Sequence, residues 1–418
     1  MKKISVSKKF HKGGVSIFIV VIVAVLVSIM SVSFLRSMLR DQEQASKLDL
    51  SQSAYDSAQA GVEDAKRFLR RYQQECGGGA NLATDTCKKM QTALNNPNQD
   101  NSCYILSTAG IGNTNGETQV QTTNGTSSTS NDTDLNQAYT CVKMQKNTPD
   151  FLGKIEEGQS TIVPLRGVKD FSKVRLNWHS QKDLTNKDRD VTLDEINTPL
   201  VASVDNNLLI SRNQWTSRVN SPAILKTQFF GYQQGARNSG QILTALDNNS
   251  FTTGTGLSEV MLFPARGIEA RNNHSLPFHR RGEDANGRTN NISAVTCEPN
   301  MATTGQEYSC SVTISLEHQV TKADTAYMRL TPIYRGTEFK AELLDDSNAL
   351  VDFDGVQPKV DSTGRANNQF RRVESRISFE DPNFPLPEFA LQLEDNGQPL
   401  CKDFWVTNRT NSGLECKL

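Results

Sequence analysis

The feature that most constrains this chain is an uncharged apolar run near its N-terminus, residues 15–35. At about 1.5 Å of rise per helical residue, the run reaches across roughly 30 Å, the thickness of the hydrocarbon core of a bilayer. It therefore predicts a membrane-spanning helix. A cleaved secretory signal is the alternative, but the run exceeds the roughly 7–15 apolar residues of a signal core, and no small-x-small cleavage motif follows it.

The charges on either side of the run predict its orientation. Lysines crowd the segment before it, whereas Arg36 and Arg40 on the far side are soon offset by Asp41 and Glu43. By the positive-inside tendency, the N-terminus lies in the cytoplasm and everything after the run lies outside.

The chain beyond the run keeps a helical pattern as far as Tyr72. It contains no proline and one glycine, Gly61, and its apolar residues recur at heptad-like spacing, at 48, 55, 62 and 69. Small residues between Ser53 and Gly61 line the same turns, so we expect a neighbouring helix to approach closely there. Three glycines after Cys76 predict the end of the helix, because each costs a helix about 1 kcal/mol.

The residues Lys12-Gly13-Gly14 stand directly before the run, and the small-residue helix follows it. Together they resemble the type IV pilins and type II secretion pseudopilins, in particular minor pilins of the PilX type and K-type pseudopilins. The resemblance extends from the N-terminus to Glu75. It implies a basic leader that a prepilin peptidase removes between Gly14 and Val15, then one long helix that carries a β-rich head and packs among other pilin or pseudopilin subunits.

One position departs from the pattern of that family. Most pilins have a glutamate at the fifth mature residue, where it pairs with the amino terminus of a neighbouring subunit. Here the position holds Ile19, or Phe18 if the cut follows Gly13. A carboxylate in hydrocarbon is costly unless paired, so its loss removes a docking contact without harming membrane residence. In the family this loss goes with tip or accessory subunits.

The rest of the chain is polar, since the mean hydropathy is −0.51 although the apolar run is included. Its net charge of −1 favours neither nucleic acid nor acidic partners. From residue 151 onward, β-branched and aromatic residues alternate with polar ones between turn residues, which predicts strands. We therefore predict an α+β fold with four parts: a basic leader (1–14), a transmembrane and extended helix (15–75), a disulfide-containing insertion with a disordered Ser/Thr/Asn-rich loop (76–150), and a large β-rich head with a disulfide-tethered C-terminal tail (151–418).

Local patterns predict the elements inside these parts. We expect a short helix at 83–94, strands at 102–108 and 138–144, and a poorly ordered loop at 110–136. Two β-hairpins are predicted, at 334–337 and 361–368. The strands predicted in the head are 159–168, 171–179, 224–232, 260–266, 308–316, 326–334, 337–343, 357–362 and 369–379.

All eight cysteines lie after the apolar run, and an even number outside the membrane predicts disulfides. Pairing between neighbours in sequence is favoured over the other connectivities. The pairs so predicted are Cys76 with Cys87, Cys103 with Cys141, Cys297 with Cys310, and Cys401 with Cys416. No Cys-x-x-Cys motif occurs and no histidine stands at ligand spacing, so a zinc site is not predicted.

A weak calcium pattern occurs at Asn186, Asp188 and Asp190, whose oxygen atoms alternate as in an EF-hand loop. Val191 replaces the glycine at the sixth loop position, and Asn197 replaces the glutamate at the twelfth. The pattern therefore favours a polar turn over a metal site.

Arg280 and Arg281 lie in a locally basic stretch, 266–288, whose five arginines and three acidic residues give a charge of +2. Contact with DNA or another anionic surface is one interpretation, and a solvated loop is the one that the asparagines and glycines favour. Elsewhere no His-Glu-x-x-His, Gly-x-Ser-x-Gly or phosphate-loop motif is present. Neither catalysis nor a cofactor is predicted.

Two functions follow from these patterns. The first is a minor or tip subunit of a type IV pilus or secretion pseudopilus. It would lie in the bacterial cytoplasmic membrane with its N-terminus inside and its head outside, and would enter a surface filament. Its partners would be membrane lipid, the prepilin peptidase and other subunits. The second is a membrane-anchored extracellular binding or adhesion domain that never polymerises. Only the first requires cleavage after Gly14.

Overall fold

The computed structural model describes residues 14–76, 84–95, 103–112, 117–120, 137–187, 189–197, 212–232, 256–268, 270–275, 292–322 and 324–378. The chain divides into two compact units. The first unit comprises Met1–Met144 and Val360–Ser375, and the second comprises Gln145–Lys359 and Arg376–Leu418. The segment Gln145–Lys359 of the second unit is therefore inserted in the first, because the chain leaves the first unit after Met144 and returns to it at Val360.

The described helices are α1 (Gly14–Cys76), α2 (Asp85–Asn95), α3 (Arg212–Thr216) and α4 (Met301–Thr304). The strands are β1 (Thr118–Gln119), β2 (Gln137–Gln145), β3 (Phe151–Ile155), β4 (Thr161–Pro164), β5 (Phe171–Ser180), β6 (Asp194–Glu195), β7 (Ile224–Tyr232), β8 (Gly256–Arg266), β9 (Asn273–Ser275), β10 (Ile292–Thr296), β11 (Tyr308–Val320), β12 (Thr325–Ile333), β13 (Thr337–Leu344), β14 (Leu350–Val351), β15 (Lys359–Ala366) and β16 (Gln369–Arg376). A long N-terminal helix followed by many strands confirms the predicted α+β class.

The first unit packs the second half of α1 on a four-stranded sheet of order β1-β2-β15-β16. A Cβ atom built on Gly61 would lie 2.3 Å from Oγ of Ser362. One built on Gly364 would lie 2.2 Å from the backbone N of Ala58. At Gly364 the strand therefore lies directly against the backbone of the helix, and at Gly61 the helix lies directly against side chains of the sheet, so neither position has room for a side chain.

This contact changes the interpretation of the small-residue stripe on α1. The sequence pattern predicts that the stripe admits a neighbouring helix, but Ala54 and Ala58 are buried against the chain's own sheet. The predicted heptad stripe is only half right, since Leu48 is 63% exposed and Tyr55 is 40% exposed. The buried positions follow i, i+3, i+4 spacing from Ala54 onward, as for any helix that packs on one face.

Local predictions in the first unit are partly wrong. The helix predicted at 83–94 and the strand predicted at 138–144 are confirmed as α2 and β2, but residues 103–108, the described part of the strand predicted at 102–108, are not a strand. The segment Ile105–Ala109 forms a 3-10 helix, because the hydroxyls of Ser107 and Thr108 donate to the carbonyls three residues earlier. The predicted loop 110–136 contains the short strand β1, and residues 113–116 and 121–136 lie outside the described residues.

The second predicted hairpin exists, but its turn lies further along the chain. Residues 361–366 belong to β15, and the turn to β16 is Asn367-Asn368, with Asn367 at a φ of 51°. Asparagine tolerates this left-handed conformation better than most residues do. The Ser-Thr-Gly-Arg stretch is strand because Gly364 must lie flat against α1.

The second unit is a β-sandwich of two six-stranded sheets. One sheet has the order β10-β8-β7-β12-β4, with β6 beside β8. The other has the order β14-β13-β5-β11-β9, with β3 beside β13. Inward-facing residues of both sheets form one hydrophobic cluster, among them Trp178, Leu225 and Phe339. In register, Trp178 of β5 lies opposite Cys310 of β11 and Phe339 of β13.

Most strands predicted in this region are confirmed with small shifts at their ends, and 224–232 coincides with β7. The strand predicted at 159–168 is too long, and the one predicted at 357–362 begins before β15 does. The hairpin predicted at 334–337 is wrong, because β12 and β13 belong to different sheets. Tyr334, at a φ of 72°, begins an arch that crosses from one sheet to the other.

The two connections of the inserted unit lie side by side within it. Thr148 and Phe353 exchange backbone hydrogen bonds, with N···O distances of 2.7 and 3.3 Å. The ammonium of Lys146 lies 2.7 Å from the carboxylate of Asp354. The β-sandwich therefore begins and ends at one place, as an insertion between the neighbouring strands β2 and β15 requires.

Three pairs of cysteines lie at disulfide-bonding distance, in the predicted pairing of sequence neighbours. They are Cys76 with Cys87, Cys103 with Cys141, and Cys297 with Cys310. The last pair joins the end of one sheet to the start of β11 in the other. Cys401 and Cys416 lie outside the described residues.

Replacing both Cys297 and Cys310 by alanine is expected to lower the free energy of unfolding of the second unit by about 2–3 kcal/mol, because the denatured chain regains the entropy of a closed loop. Urea unfolding followed by tryptophan fluorescence measures this, since Trp178 and Trp215 are buried in the second unit and the first unit has no tryptophan in its sequence. The matched control is the double alanine variant of Cys103 and Cys141, in the first unit. An equal shift of the tryptophan transition in both variants would contradict the prediction.

Candidate functional site

The first half of α1 has no partner among the described residues. All residues from 17 to 49 are exposed, with Phe18 at 73% and Phe34 at 70%. The most apolar window of the helix has a mean hydropathy of 3.0, and none of that window is buried. By length and composition, this helix could cross a membrane.

The predicted processing site lies at the start of this helix. Gly14 is the first residue of α1 and Val15 is the second. Residues 1–13, including Gly13 and the basic leader, lie outside the described residues. The helix therefore begins one residue before the position where the resemblance places the mature N-terminus.

The second half of α1 is fixed to the first unit by polar as well as apolar contacts. The hydroxyl of Tyr139, on β2, donates to the carboxylate of Asp64 on α1 at 2.9 Å. Burial raises the pKa of Tyr139 to about 12, so the phenol stays protonated as the donor. On the outer side of the helix, Arg67 pairs with the same Asp64 at 2.9 Å. The two halves of α1 thus differ: one is packed, and the other is bare.

A groove of about 580 Å³ opens on the surface of the β-sandwich. We call it the Tyr308 groove. Its lining comes from four segments, 152–154, 180–182, 305–308 and 338–339. They are brought together by the pairing of β3 with β13, β13 with β5, and β5 with β11. No sequence pattern indicates this groove, because its residues stand far apart in the chain and match no motif.

The polar groups of the groove are held in place by a hydrogen-bond network. Ser180 Oγ donates to Glu338 Oε2 at 2.9 Å, and Lys182 Nζ lies 3.4 Å from Glu338 Oε1. Behind them, the carboxylate of Asp183 accepts from the backbone N of Ser180 at 2.8 Å and of Glu338 at 3.0 Å. Burial raises the pKa of Asp183 despite these bonds. The Glu338 carboxylate is thereby oriented toward the groove before any ligand arrives.

Two aromatic residues line the groove, and Tyr308 is the more exposed one because Phe339 is buried. The ring of Tyr308 has the ammonium of Lys340 at 5.7 Å from the centroid. Burial is the main cause that raises the pKa of Tyr308, and the nearby carboxylates of Glu307 and Glu338 add to it. The phenol is therefore a neutral hydrogen-bonding group at every physiological pH.

The calcium candidate forms a polar turn in the residues that are described. The side chain of the buried Asn220 accepts from the backbone N of Asn186 at 3.0 Å and donates to the carbonyls of Asn186 and Arg189 at 2.6 and 2.8 Å. Asp188 lies outside the described residues. Among the residues that are described, no group of three or more His, Cys, Asp or Glu could hold a metal ion.

The basic stretch is only partly described, and Arg280 and Arg281 lie outside the described residues. Arg266, at its start, is exposed and pairs with Glu195 at 3.2 Å. Of the five arginines in this stretch, Arg266 and Arg271 belong to the part of the chain that the structure describes.

Comparison with known proteins gives no relative. No family model, no curated protein and no solved structure matches this chain.

Proposed function

We propose that this chain is a minor subunit of a type IV pilus or of a related secretion pseudopilus, held in the membrane by α1 and cut between Gly14 and Val15 before assembly. The single observation that carries the proposal is the contrast along α1. Residues 17–35 are uncharged, mostly apolar and exposed on all sides, whereas the second half of the helix packs on a small sheet.

The bare half of α1 needs a different environment from the packed half. A helix that is apolar all round is stable only inside lipid or among other apolar helices. Burial at about 25 cal/mol per Å² of apolar surface makes either environment strongly favourable over water. A subunit that moves from membrane to filament exchanges one for the other, and its head remains where it was, outside the membrane.

The inserted β-sandwich favours a minor or tip subunit over a major one. The first unit already contains a helix and a sheet with its own core, which is what a repeating shaft would need. The insertion adds the segment Gln145–Lys359, which is longer than the whole first unit. A shaft of many copies would have to accommodate that bulk at every step, whereas a subunit present once or a few times would not.

The proposal is tested on chain recovered from bacteria with an active prepilin peptidase. We expect the intact mass and N-terminal sequence to show a mature chain that begins at Val15. We expect a Gly14→Val variant to keep its leader, because the residue before the cut is changed. Gly13→Val is the matched control, in which Gly14 is intact and cleavage should persist.

Retention of the leader would contradict the proposal. If the wild-type chain and Gly14→Val both retain residues 2–14, the chain is not processed as a pilin. The alternative function, a surface domain tethered by a permanent membrane anchor, would then replace the proposal. A cut that persists in Gly14→Val but is lost in Gly13→Val would move the junction by one residue and keep the proposal.

A further inference from the structure

The Tyr308 groove has the size and construction of a ligand site. Its volume of about 580 Å³ falls in the range of small-molecule sites, roughly 300–1,000 Å³. Its polar groups converge from different strands and are fixed by the network behind them. Ser180 is only 4% exposed, and its hydroxyl is bonded to Glu338. A groove held in this way binds without first having to be ordered.

The charges of the groove do not select a charged ligand. Its lining contains two lysines, Lys154 and Lys182, and two glutamates, Glu307 and Glu338, so the formal charges of the lining balance. A polyanion such as nucleic acid would meet the carboxylates, and a basic peptide would meet the lysines.

The groove also offers little to an extended peptide. Strand addition needs a row of free backbone groups at a sheet edge. On the outer edge of β3, the N and O of Leu152 already bond to the side-chain amide of Gln357, at 2.9 and 2.7 Å. In an antiparallel strand, the backbone groups of alternate residues point to opposite sides. Lys154 is therefore the one other residue of β3 whose backbone groups point away from β13 and could pair with an added strand.

The groove instead combines an aromatic ring with hydrogen-bonding groups in fixed positions. A sugar ring has apolar C–H faces that pack on an aromatic ring such as that of Tyr308. It also carries pairs of neighbouring hydroxyls, which donate to a carboxylate and accept from an ammonium. Glu338 and Lys182, 3.4 Å apart, present these two partners together.

We propose that the Tyr308 groove binds a neutral oligosaccharide, with Tyr308 against a sugar face and Glu338 and Lys182 on its hydroxyls. All residues that line the groove belong to the second unit. The inference holds whether the chain enters a filament or stays tethered to the membrane, so its failure and the failure of the proposed function are separate results.

The test uses the full chain, purified in a detergent without a sugar headgroup. The labelled protein is applied to an array of oligosaccharides that includes neutral glucose, galactose, mannose and N-acetylglucosamine polymers and sulfated polymers. We expect retention on a neutral oligosaccharide, and calorimetry then gives its dissociation constant. We expect Glu338→Gln to weaken that binding at least tenfold, because the variant loses the charge-assisted acceptor of two hydroxyls.

Two matched variants separate binding from folding. Glu342→Gln changes the same residue type on the same face of β13, outside the groove, and we expect unchanged affinity. Tyr308→Phe keeps the ring and should retain binding within about threefold, whereas Tyr308→Ala should abolish it. Retention on sulfated polymers only, retention on nothing, or equal binding by wild type and Glu338→Gln would each overturn the proposal.

Discussion

Replacing Gly364 by valine is expected to separate the sheet of the first unit from α1, at a cost above about 4 kcal/mol. The first added atom alone, Cβ, would lie 2.2 Å from both the carbonyl O of Ala54 and the backbone N of Ala58. These are backbone atoms of a helix, which cannot move aside as a flexible side chain can. The only relief is for β15 to leave α1, which exposes the core of the first unit.

The measurement is hydrogen exchange of the full chain, followed in β15 and in β7 separately. We expect fast exchange of β15 in Gly364→Val, while β7 in the second unit keeps its protection. Thr363→Val is the matched control, because neighbouring residues of a strand point to opposite faces and Thr363 is half-buried. Protection of β15 in Gly364→Val at the wild-type level would show that this close contact does not exist.

The long helix could be predicted from sequence because its cause is local. An uncharged run of this length has few alternatives to a helix, and the pattern after it has the spacing of one. The partner of the packed half could not be predicted in the same way. Ala54 and Ala58 allow close approach by any backbone. Nothing in their spacing distinguishes a neighbouring helix from β15, a strand that comes only after the long inserted segment of the chain.

The arch at Tyr334 could not be predicted from the sequence either, because it too depends on non-local partners. A short turn between two strand patterns predicts a hairpin, and most such turns are hairpins. Here β12 pairs with β7 and β4, while β13 pairs with β5 and β3. Those partners come from much earlier in the chain, so the sheet to which each strand belongs is decided by non-local pairing. The Tyr308 groove could not be predicted from the sequence for the same reason, because four strands contribute to it.

Acidification is expected to destabilise the second unit through His179, which lies at the end of β5 and is 3% exposed. Its Nε2 has no hydrogen-bond partner among the described residues. Burial, with the positive charge of Arg335, lowers the pKa of His179 from 6.5 to about 4. Below pH 6.5 the unfolded chain takes up a proton that the folded chain refuses until about pH 4. The stability present above pH 6.5 is therefore lost as the pH falls through this window.

The expected loss is about 3 kcal/mol between pH 7 and pH 3.5, since each unit of pKa difference corresponds to about 1.4 kcal/mol. Urea unfolding followed by tryptophan fluorescence at several pH values measures it. The comparison is His179→Asn, because asparagine does not titrate and tolerates the φ of 64° found at this position. Carboxylates contribute equally to the pH dependence of stability in the wild type and in the variant. The difference between the two curves is therefore the contribution of His179. Two parallel curves would mean that His179 can be protonated in the folded β-sandwich without penalty, and that its burial does not exclude the charge.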